Sequence, residues 1–518
     1  MTRGARIAAA LIALVGAVVS ANAGASNAGA SDAGASDSGE HRDDGTAPGV
    51  DAEGLAGANG AAFELGEWDI APHVELRLRG EYRRDPVDVG GDVFEGVAVH
   101  GDGYRSPAPA VFIRQSAVGD LWLASSRARL GLRASRRFVA AVVTLQDARV
   151  LGWLPGAAAS ASRPGTGIFE PYRAYLELFD DAVRDGGGEP LVRARIGRQP
   201  ITWGEGRLVG DKDWLARGGA LDAARVELQF GDGLTEVELL AAMLAMPGPV
   251  PQPLGSTTGA ARLEGSGAQL YGLANRWDVF PLLKLELGVL ARIAREPLPV
   301  ELVRGDTYVV DLRVHGAWRG VDYAAEGALE LGRVASFGTN RELFAGAAAA
   351  RVDWQTALPL DVRFGAFGSY ASGDDSGGTG ATQHRFDPIL PTVHEHHGMM
   401  DLLGWSNSLD VGARVAARPL TQVDVALRYA FLGLAEPTDR WTAGSLAPIG
   451  VAPANDSRSL AHELDLRVAY EPWRGVSFDA GYGIAATGSG ARAILEASGH
   501  GAPELLHFAY LATSARVW

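Results

Sequence analysis

The sequence contains no cysteine and only two lysines, Lys212 and Lys284, although arginine is frequent. Without cysteine the chain has neither a disulfide framework nor a thiolate metal site. Beyond its N-terminal segment it also lacks any uncharged apolar run of about twenty residues, so no later stretch predicts a transmembrane helix. The net charge of −15 argues against a nucleic-acid partner.

Catalytic motifs are missing as well. The sequence has no GxSxG, HExxH or P-loop pattern, which would place a nucleophile, a catalytic metal or a phosphate. We therefore expect a protein that is not an enzyme.

Residues 1–23 predict a secretory signal peptide. Arg3 and Arg6 precede an apolar run that is too short to cross a bilayer, and Ala21-Asn22-Ala23 fits a small-x-small cleavage site. A Gly/Ala/Ser/Asp-rich segment over 24–67 follows, which buries too little apolar surface to offset its chain entropy. We expect an exported chain with a disordered leader and a folded part over 68–518.

The folded part shows short runs in which apolar and polar residues alternate. In the first run Leu76 and Leu78 fall on one side of a strand, and Arg77 and Arg79 fall on the other. About eighteen such runs follow one another, joined alternately by long and by short segments, which is the pattern of long extracellular loops and short periplasmic turns. The sequence thus predicts an all-β protein: a transmembrane antiparallel up-and-down β-barrel of about eighteen strands, since a soluble β-sandwich has no reason to keep this rhythm.

Two segments resemble the alginate export family of outer-membrane β-barrels. They are GRQPITWGEGRLVGDKDW, residues 197–214, and the long stretch over 369–407. The resemblance implies a channel in the outer membrane of a Gram-negative cell, through which an anionic, alginate-like polysaccharide diffuses or is exported. The residues that carry the family motif are Gly204, Asp211, Asp213, Trp214, Phe386, Asp387 and Asp401.

One departure from the family favours a different solute. The family's alginate exporter has a long periplasmic turn, two strands before the end, that plugs the inner mouth. The corresponding turn over 472–475 is far too short for a plug. The alternative is a general or small-solute porin that works in uptake, without polysaccharide export.

Arginines dominate the polar faces of the predicted strands. Arginine presents a planar fork that binds carboxylates with two hydrogen bonds. Two interpretations remain open: an anion-selective constriction, or a ladder of cross-strand ion pairs that holds the barrel rigid. The candidates for lining the pore or binding the solute are Arg77, Arg79, Arg127, Arg129, Arg133, Arg193, Arg195, Arg198, Arg207, Arg225, Arg363 and Arg414.

Two further groups are weaker candidates for metal sites. Asp374, Asp375 and Asp387 could offer oxygen ligands to calcium but lack EF-hand spacing. The histidines over 394–397 suggest zinc, yet adjacent histidines in an extended loop point to opposite sides. No other cofactor is expected.

The last strand and the membrane define the expected partners. A C-terminal strand ending in Trp518 resembles the signal read by the barrel assembly machinery. A barrel in this membrane would contact outer-membrane lipid and lipopolysaccharide, and would pass an anionic sugar or small solute.

Overall fold

The computed structural model describes residues 63–85, 120–153, 166–180, 191–230, 234–244, 267–280, 282–293, 305–336, 339–375, 380–392, 394–444, 446, 448–497 and 501–517. The predicted signal peptide, most of the predicted leader and Trp518 lie outside these residues.

The described residues form eighteen long antiparallel strands that close on themselves. Each strand pairs with the next, and the last pairs with the first over Val74↔Val517 to Arg84↔His507. In chain order the strands are β1 Trp68–Arg84, β2 Asp120–Arg136, β3 Val139–Trp153, β4 Thr166–Phe179, β5 Val192–Gln199, β6 Leu221–Phe230, β7 Thr235–Met243, β8 Gln269–Phe280, β9 Leu283–Ile293, β10 Thr307–Trp318, β11 Val321–Ser336, β12 Thr339–Gln355, β13 Arg363–Ala371, β14 Ser408–Leu420, β15 Val423–Gly433, β16 Ser459–Trp473, β17 Val476–Thr487 and β18 Leu505–Val517.

The two faces of the sheet differ as the alternation predicts. Leu76 and Leu78 are 50% and 62% exposed, whereas Arg79 and Glu81, which follow them on the same strand, are 3% and 6% exposed. An apolar outside with ionic groups inside suits a barrel surrounded by lipid. The prediction of a closed barrel of about eighteen strands is confirmed.

The connections at the two ends of the barrel are unequal. At one end most are short, such as Arg137-Phe138, Arg319-Gly320 and Arg474-Gly475, with positive φ at Arg137, Arg319 and Gly475, and the exception is segment 180–191 between β4 and β5. The other end carries the long connections, apart from the hairpin between β11 and β12. By the rule for such barrels, the short turns face the periplasm and the long loops face outward.

A short strand that the sequence did not predict completes the seam of the barrel. Phe63–Leu65 pairs with the start of β1, from Phe63↔Ile70 to Leu65↔Trp68. Ile70 pairs with Ala134 of β2 at the same time, so the short strand occupies the edge of β1 that β18 does not reach. The predicted leader boundary at 67 is therefore wrong for residues 63–67, because this edge of β1 binds them.

Several loops at the outer end add small elements of their own. They are the two-residue strand Thr382–Gln383, the hairpin of Trp441–Thr442 with Pro448–Gly450, and helix α1, Ser489–Ala497. Within the described part of the chain, no helix is long and apolar enough to cross a membrane.

Two of the long loops turn into the barrel instead of away from it. We call residues 200–220, between β5 and β6, loop A, and residues 372–407, between β13 and β14, loop B. Leu208 and Val209 of loop A and Phe386 and Ile389 of loop B are at most 3% exposed. They pack with inward-facing strand residues such as Leu270, so two apolar clusters fill the upper bore. We call the two loops together the partition.

Candidate functional site

Loops A and B are joined to each other by main-chain hydrogen bonds. Leu390 N donates to Leu208 O at 2.9 Å, and Thr392 N donates to Gly206 O at 2.8 Å. The rings of Trp214 and His394 stack with their centroids 3.5 Å apart. The partition is therefore one packed body, in which neither loop can move far without the other.

Loop A crosses the barrel from one wall to the opposite one. At one end Asp213 bonds Arg127 of β2. At the other end Glu205 accepts from Arg313 of β10 at 3.3 Å and from Arg351 of β12 at 2.9 Å. Because β1 and β10 are half a circumference apart in a closed barrel of eighteen strands, this loop spans the bore.

Glycine permits the tight path that loop A follows near the far wall. Gly204 has φ +55°, a conformation that L side chains rarely adopt, and a Cβ there would come within 3.3 Å of Arg313 Cδ. Next to it Trp203 is buried, and its Nε1–H donates to Glu238 of β7 at 2.8 Å. These contacts place Glu205 between Arg313 and Arg351.

Loop B is fixed to the wall in the same manner. Asp387 lies 3.1 Å from Arg292 of β9, and its main-chain N–H donates to Glu330 of β11 at 2.9 Å. On the other side Met400 N donates to Glu463 of β16 at 3.1 Å. Asp401, with φ +56°, lies 3.2 Å from His394 and 3.7 Å from Arg83 of β1.

Electrostatics hold the acids of loop A ionised. Burial opposes the ionisation of Asp213, but the neighbouring Arg127 and Arg129 outweigh it and keep the pKa of this carboxyl below its usual range. The pKa of Glu205 is lowered in the same way, against burial, by Arg207, Arg351 and Arg313. Both ends of loop A therefore carry a negative charge at neutral pH.

Burial keeps two loop histidines neutral. Burial and the nearby Arg207 lower the pKa of His396 to about 3, and its Nε2 lies 2.8 Å from Glu205 O, which fixes Nε2–H as the donor. Burial also lowers the pKa of His397, which lies 3.4 Å from Asp410. The histidines of this run thus contact different partners, as adjacent side chains in an extended loop must.

The inner wall carries a continuous series of ion pairs that runs from β2 to β14 through Glu205. We call this series the ion-pair girdle. Each step joins an arginine to an acid at 4.0 Å or less. In order, the members are Arg133, Glu177, Arg193, Glu227, Arg225, Glu238, Arg276, Glu286, Arg313, Glu205, Arg351, Asp353 and Arg414.

The structure brings ten of the twelve candidate arginines to the inside of the barrel, nine on the wall and Arg207 on loop A. Arg195 joins Glu227 at 3.5 Å, and Arg207 joins Glu205 at 3.5 Å. Arg363 lies lower, at the start of β13, and bonds Gln355. The wall members, each bonded to an acid or to loop A, are Arg77, Arg79, Arg127, Arg129, Arg133, Arg193, Arg195, Arg225 and Arg414.

Arg198 is a correction, because it lies on the outer face of the sheet. It pairs across strands with Asp222, at 3.0 Å, and the Asp222 side chain is 60% exposed. Leu221 and Ala223, on either side of Asp222, pack inside the barrel, so Asp222 and Arg198 point outward. Arg198 also shares its parity with the apolar Ala194 and Ile196, a signal that the sequence already contained.

Two of the three acids proposed as calcium ligands bond arginines. Asp374 bonds Arg341 at 2.9 Å, and Asp387 bonds Arg292. Asp375 is exposed. Across the described ranges, no group of three His, Cys, Asp or Glu side chains is arranged to hold a metal ion.

The sequence did not predict four residues that contact the arginines of the inner wall. Glu205 lies inside the quoted motif, and its position two residues before Arg207 was the available signal. Glu75, Gln146 and Tyr172 contact Arg127 or Arg129 from other strands. No local pattern points to these three contacts.

Comparison with known proteins gives a family and a fold. The alginate export family model matches residues 299–502, and no curated protein matches the chain. Among solved structures, OccK9 (OpdG) of Pseudomonas aeruginosa is 11% identical, with a TM-score of 0.52 over 86% of this chain and 98% of that one. OccK2 (OpdF) of the same organism, in complex with glucuronate, is 10% identical with the same score and coverage.

A third solved barrel, OpdK of Pseudomonas aeruginosa with vanillate, is 10% identical, with a TM-score of 0.50 over 86% of this chain and 99% of that one. At these identities the likeness shows the fold, which is that of outer-membrane porins. Both the matched family and the fold are of the channel type. The chain is therefore an integral outer-membrane β-barrel channel, and its residues 299–502 match the model of the alginate export family.

Proposed function

We propose that this channel passes small acidic solutes, of the size of a single sugar acid, by passive diffusion. The observation that carries the proposal is loop A, which joins β1 and β2 to β10 and β12 across the bore. A bore divided in this way favours a small solute over a polymer chain, which needs a wide continuous path.

The inner wall supplies the chemistry for an acid. Arg127 already binds the carboxylate of Asp213 through both Nη atoms, at 2.9 and 3.0 Å. The same fork would bind a solute carboxylate with the same geometry. Glucuronate and vanillate, which are present in two of the solved barrels of this fold, are carboxylates of this size.

Export of an anionic polysaccharide is the second candidate, and the family match over 299–502 favours it. For a polymer to pass, the whole partition would have to leave the bore. The two-residue turn Arg474-Gly475 also supplies no periplasmic plug of the kind that the family's exporter has. These two features make the small-solute function the better supported one.

Ion selectivity in a planar bilayer tests the proposal. Under a potassium chloride gradient we expect a reversal potential that shows anion preference. Arg193→Gln should reduce this preference, because Arg193 lies on the inner wall 3.3 Å from both Glu177 and Glu227, and its loss leaves both acids with less counter-charge. Arg198→Gln on the same strand is the matched control and should leave selectivity unchanged, because Arg198 faces outward.

Solute size separates the two functions. Liposomes that contain the channel should take up glucuronate but exclude a long oligouronate. Cation preference in the native channel would contradict passage of acids, and equal passage of the oligomer would favour polysaccharide export.

A further inference from the structure

Loop B meets β16 through two neighbouring main-chain N–H groups. Met399 N donates to Asp465 Oδ2 at 3.2 Å. Met400 N donates to Glu463 Oε1 at 3.1 Å. Glu463 and Asp465 are alternate residues of β16, so both side chains point to the inside of the barrel. They are 0% and 4% exposed, so the water of the bore does not reach them while loop B is in place.

Two glycines leave room for these carboxyl groups. Gly398 of loop B has φ +101°, and a Cβ there would collide with the Glu463 carboxyl group. From the wall, a Cβ at Gly483 of β17 would lie 2.9 Å from Asp465 Oδ1. The acid pair is therefore enclosed by main chain, from loop B on one side and from β17 on another.

Positive charge is scarce beside the two acids. Among the described residues, Glu463 has no ion pair, and Asp465 has one, with Arg428 of β15 at 3.5 Å. Arg428 lies closer to a second wall acid, Asp410 of β14, at 3.2 Å. One arginine that is shared in this way cannot balance two further ionised carboxylates.

The other charged and titratable groups around the pair have partners of their own. They are His394, which lies 3.2 Å from Asp401, His397, which lies 3.4 Å from Asp410, Arg83, which lies 3.1 Å from Glu81, Tyr510, which donates to Asp479 at 2.7 Å, and Arg467, which pairs with Asp479. None of these groups donates to the oxygens of the pair that remain without a donor, Glu463 Oε2 and Asp465 Oδ1.

The two acids contact each other instead. Glu463 and Asp465 lie within hydrogen-bonding reach of one another. Ionised carboxylates accept hydrogen bonds but cannot donate them, so two of them in contact repel each other. A single proton between the two groups removes this repulsion and supplies the donor that both oxygens lack.

We propose that Glu463 and Asp465 share one proton while loop B is packed, and that loss of this proton at alkaline pH releases loop B from β16. With the proton the pair carries one negative charge, which Arg428 faces, and both main-chain N–H groups of loop B have an acceptor. Without the proton two negative charges lie buried side by side, a state that release of the loop relieves by admitting water. The inference does not depend on which solute the channel passes.

The direction of the pH response follows from the number of protons bound in each state. The packed pair holds one proton, whereas in the released state both acids face water, in which carboxyl groups ionise near pH 4, and hold none at neutral pH. Because the packed state binds more protons, its stability falls as pH rises through the range in which the pair loses its proton. Buried His396 and His397, whose pKa values burial lowers, respond in the opposite direction, so the two effects are separable.

Single-channel recording of the full-length protein at pH 7 and at about pH 9.5 tests the shared proton, with Glu463→Gln as the main variant. Wild-type channels should open roughly tenfold more often at the higher pH, the change that accompanies loss of one charge-assisted hydrogen bond. A glutamine amide donates the same hydrogen bond and does not titrate, so Glu463→Gln should open equally often at both pH values. Asp222→Asn, which removes an outward-facing acid, is the matched control and should respond as wild type does.

Asp465→Asn provides a second variant, in case Glu463→Gln does not give a folded barrel on a heat-modifiability gel. It also leaves a single carboxyl group beside an amide, and it should likewise lose the alkaline response. Infrared difference spectra between the two pH values give an independent measure, since the wild type should show a protonated-carboxyl band at pH 7 that is missing from each variant. An alkaline response that persists in Glu463→Gln, or no such response in the wild type, would overturn the shared proton and leave the proposed function intact.

Discussion

Arginine supplies nearly all the positive charge of the inner wall, and its geometry explains why lysine is so rare in this chain. Arg193 serves Glu177 and Glu227 at once, and Arg225 serves Glu227 and Glu238. A planar fork with five donors can bridge two acids on neighbouring strands, whereas the ammonium of lysine is a single point of charge. The ion-pair girdle depends on this bridging, so its arginines both hold the wall and face the bore.

The loop histidines predict a response to acid. Burial in the partition lowers the pKa of His396 to about 3 and also lowers the pKa of His397. Below the usual histidine pKa of about 6.5, a loop B that has left the partition therefore binds more protons than the packed loop. The packed state of loop B is destabilised as pH falls from about 6.5 toward 3. Charged groups around the pair are Arg207, Glu205, Asp410 and Arg428.

The measurement is the open fraction of single channels at pH 7 and at pH 4.5. We expect more frequent opening at the lower pH, and a smaller response in His396→Gln. Glu205, whose pKa neighbouring arginines lower against burial, takes up a proton on release only near its ordinary pKa of about 4.5. Because His396→Gln keeps Glu205, the difference between wild type and this variant isolates the histidine. His462→Gln is the control, since His462 bonds Tyr429 on the outer face. An identical pH response in His396→Gln would refute the assignment to this histidine.

At the scale of elements, the seam between β1 and β18 is completed by the chain's own N-terminal hairpin. The pairing of β18 with β1 ends at Val74↔Val517, and Phe63–Leu65 covers the part of β1 below it. An uncovered strand edge near the membrane would leave main-chain groups without partners, which is costly where water is scarce. The hairpin thus belongs to the barrel and not to the leader.

Removal of the hairpin should lower the stability of the barrel. Deletion of residues 24–67 exposes the lower edge of β1, and we expect a loss of about 2–3 kcal/mol, from a few main-chain hydrogen bonds. Deletion of residues 24–60 keeps the hairpin and is the matched control. The unfolding temperature on a heat-modifiability gel should fall for the longer deletion alone. Equal temperatures would mean that the seam does not need this strand.

At the scale of the whole molecule, the barrel separates two environments and its stability depends on which face a charge occupies. Leu78, 62% exposed, faces lipid, while its neighbour Arg79, 3% exposed, lies inside against Glu81 and loop A. Among the described residues, most arginines of the inner wall are paired with acids or bonded to the partition, so they form a polar framework. An unpaired charge on the outer face has no such compensation.

Leu78→Arg should therefore destabilise the barrel by about 2–4 kcal/mol, the cost of an arginine on the lipid face near the middle of a strand. Leu78→Met keeps an apolar side chain of similar volume and is the control, with an expected loss below about 1.5 kcal/mol. Reversible unfolding by guanidinium chloride in lipid vesicles measures both. Equal stability of the two variants would show that this face does not meet lipid.

The sequence by itself determined the architecture of this protein, because period-two alternation has one stable outcome when one face meets lipid and the other meets water. The residues around Leu76 and Arg77, repeated through about eighteen runs with alternating long and short connections, specify strand positions, faces and closure. The tertiary structure decided which partner each charge has. Asp213 reaches Arg127, and Glu205 reaches Arg351, only because loop A turns inward across the bore. Such contacts join residues many strands apart, and no local pattern of residues encodes them.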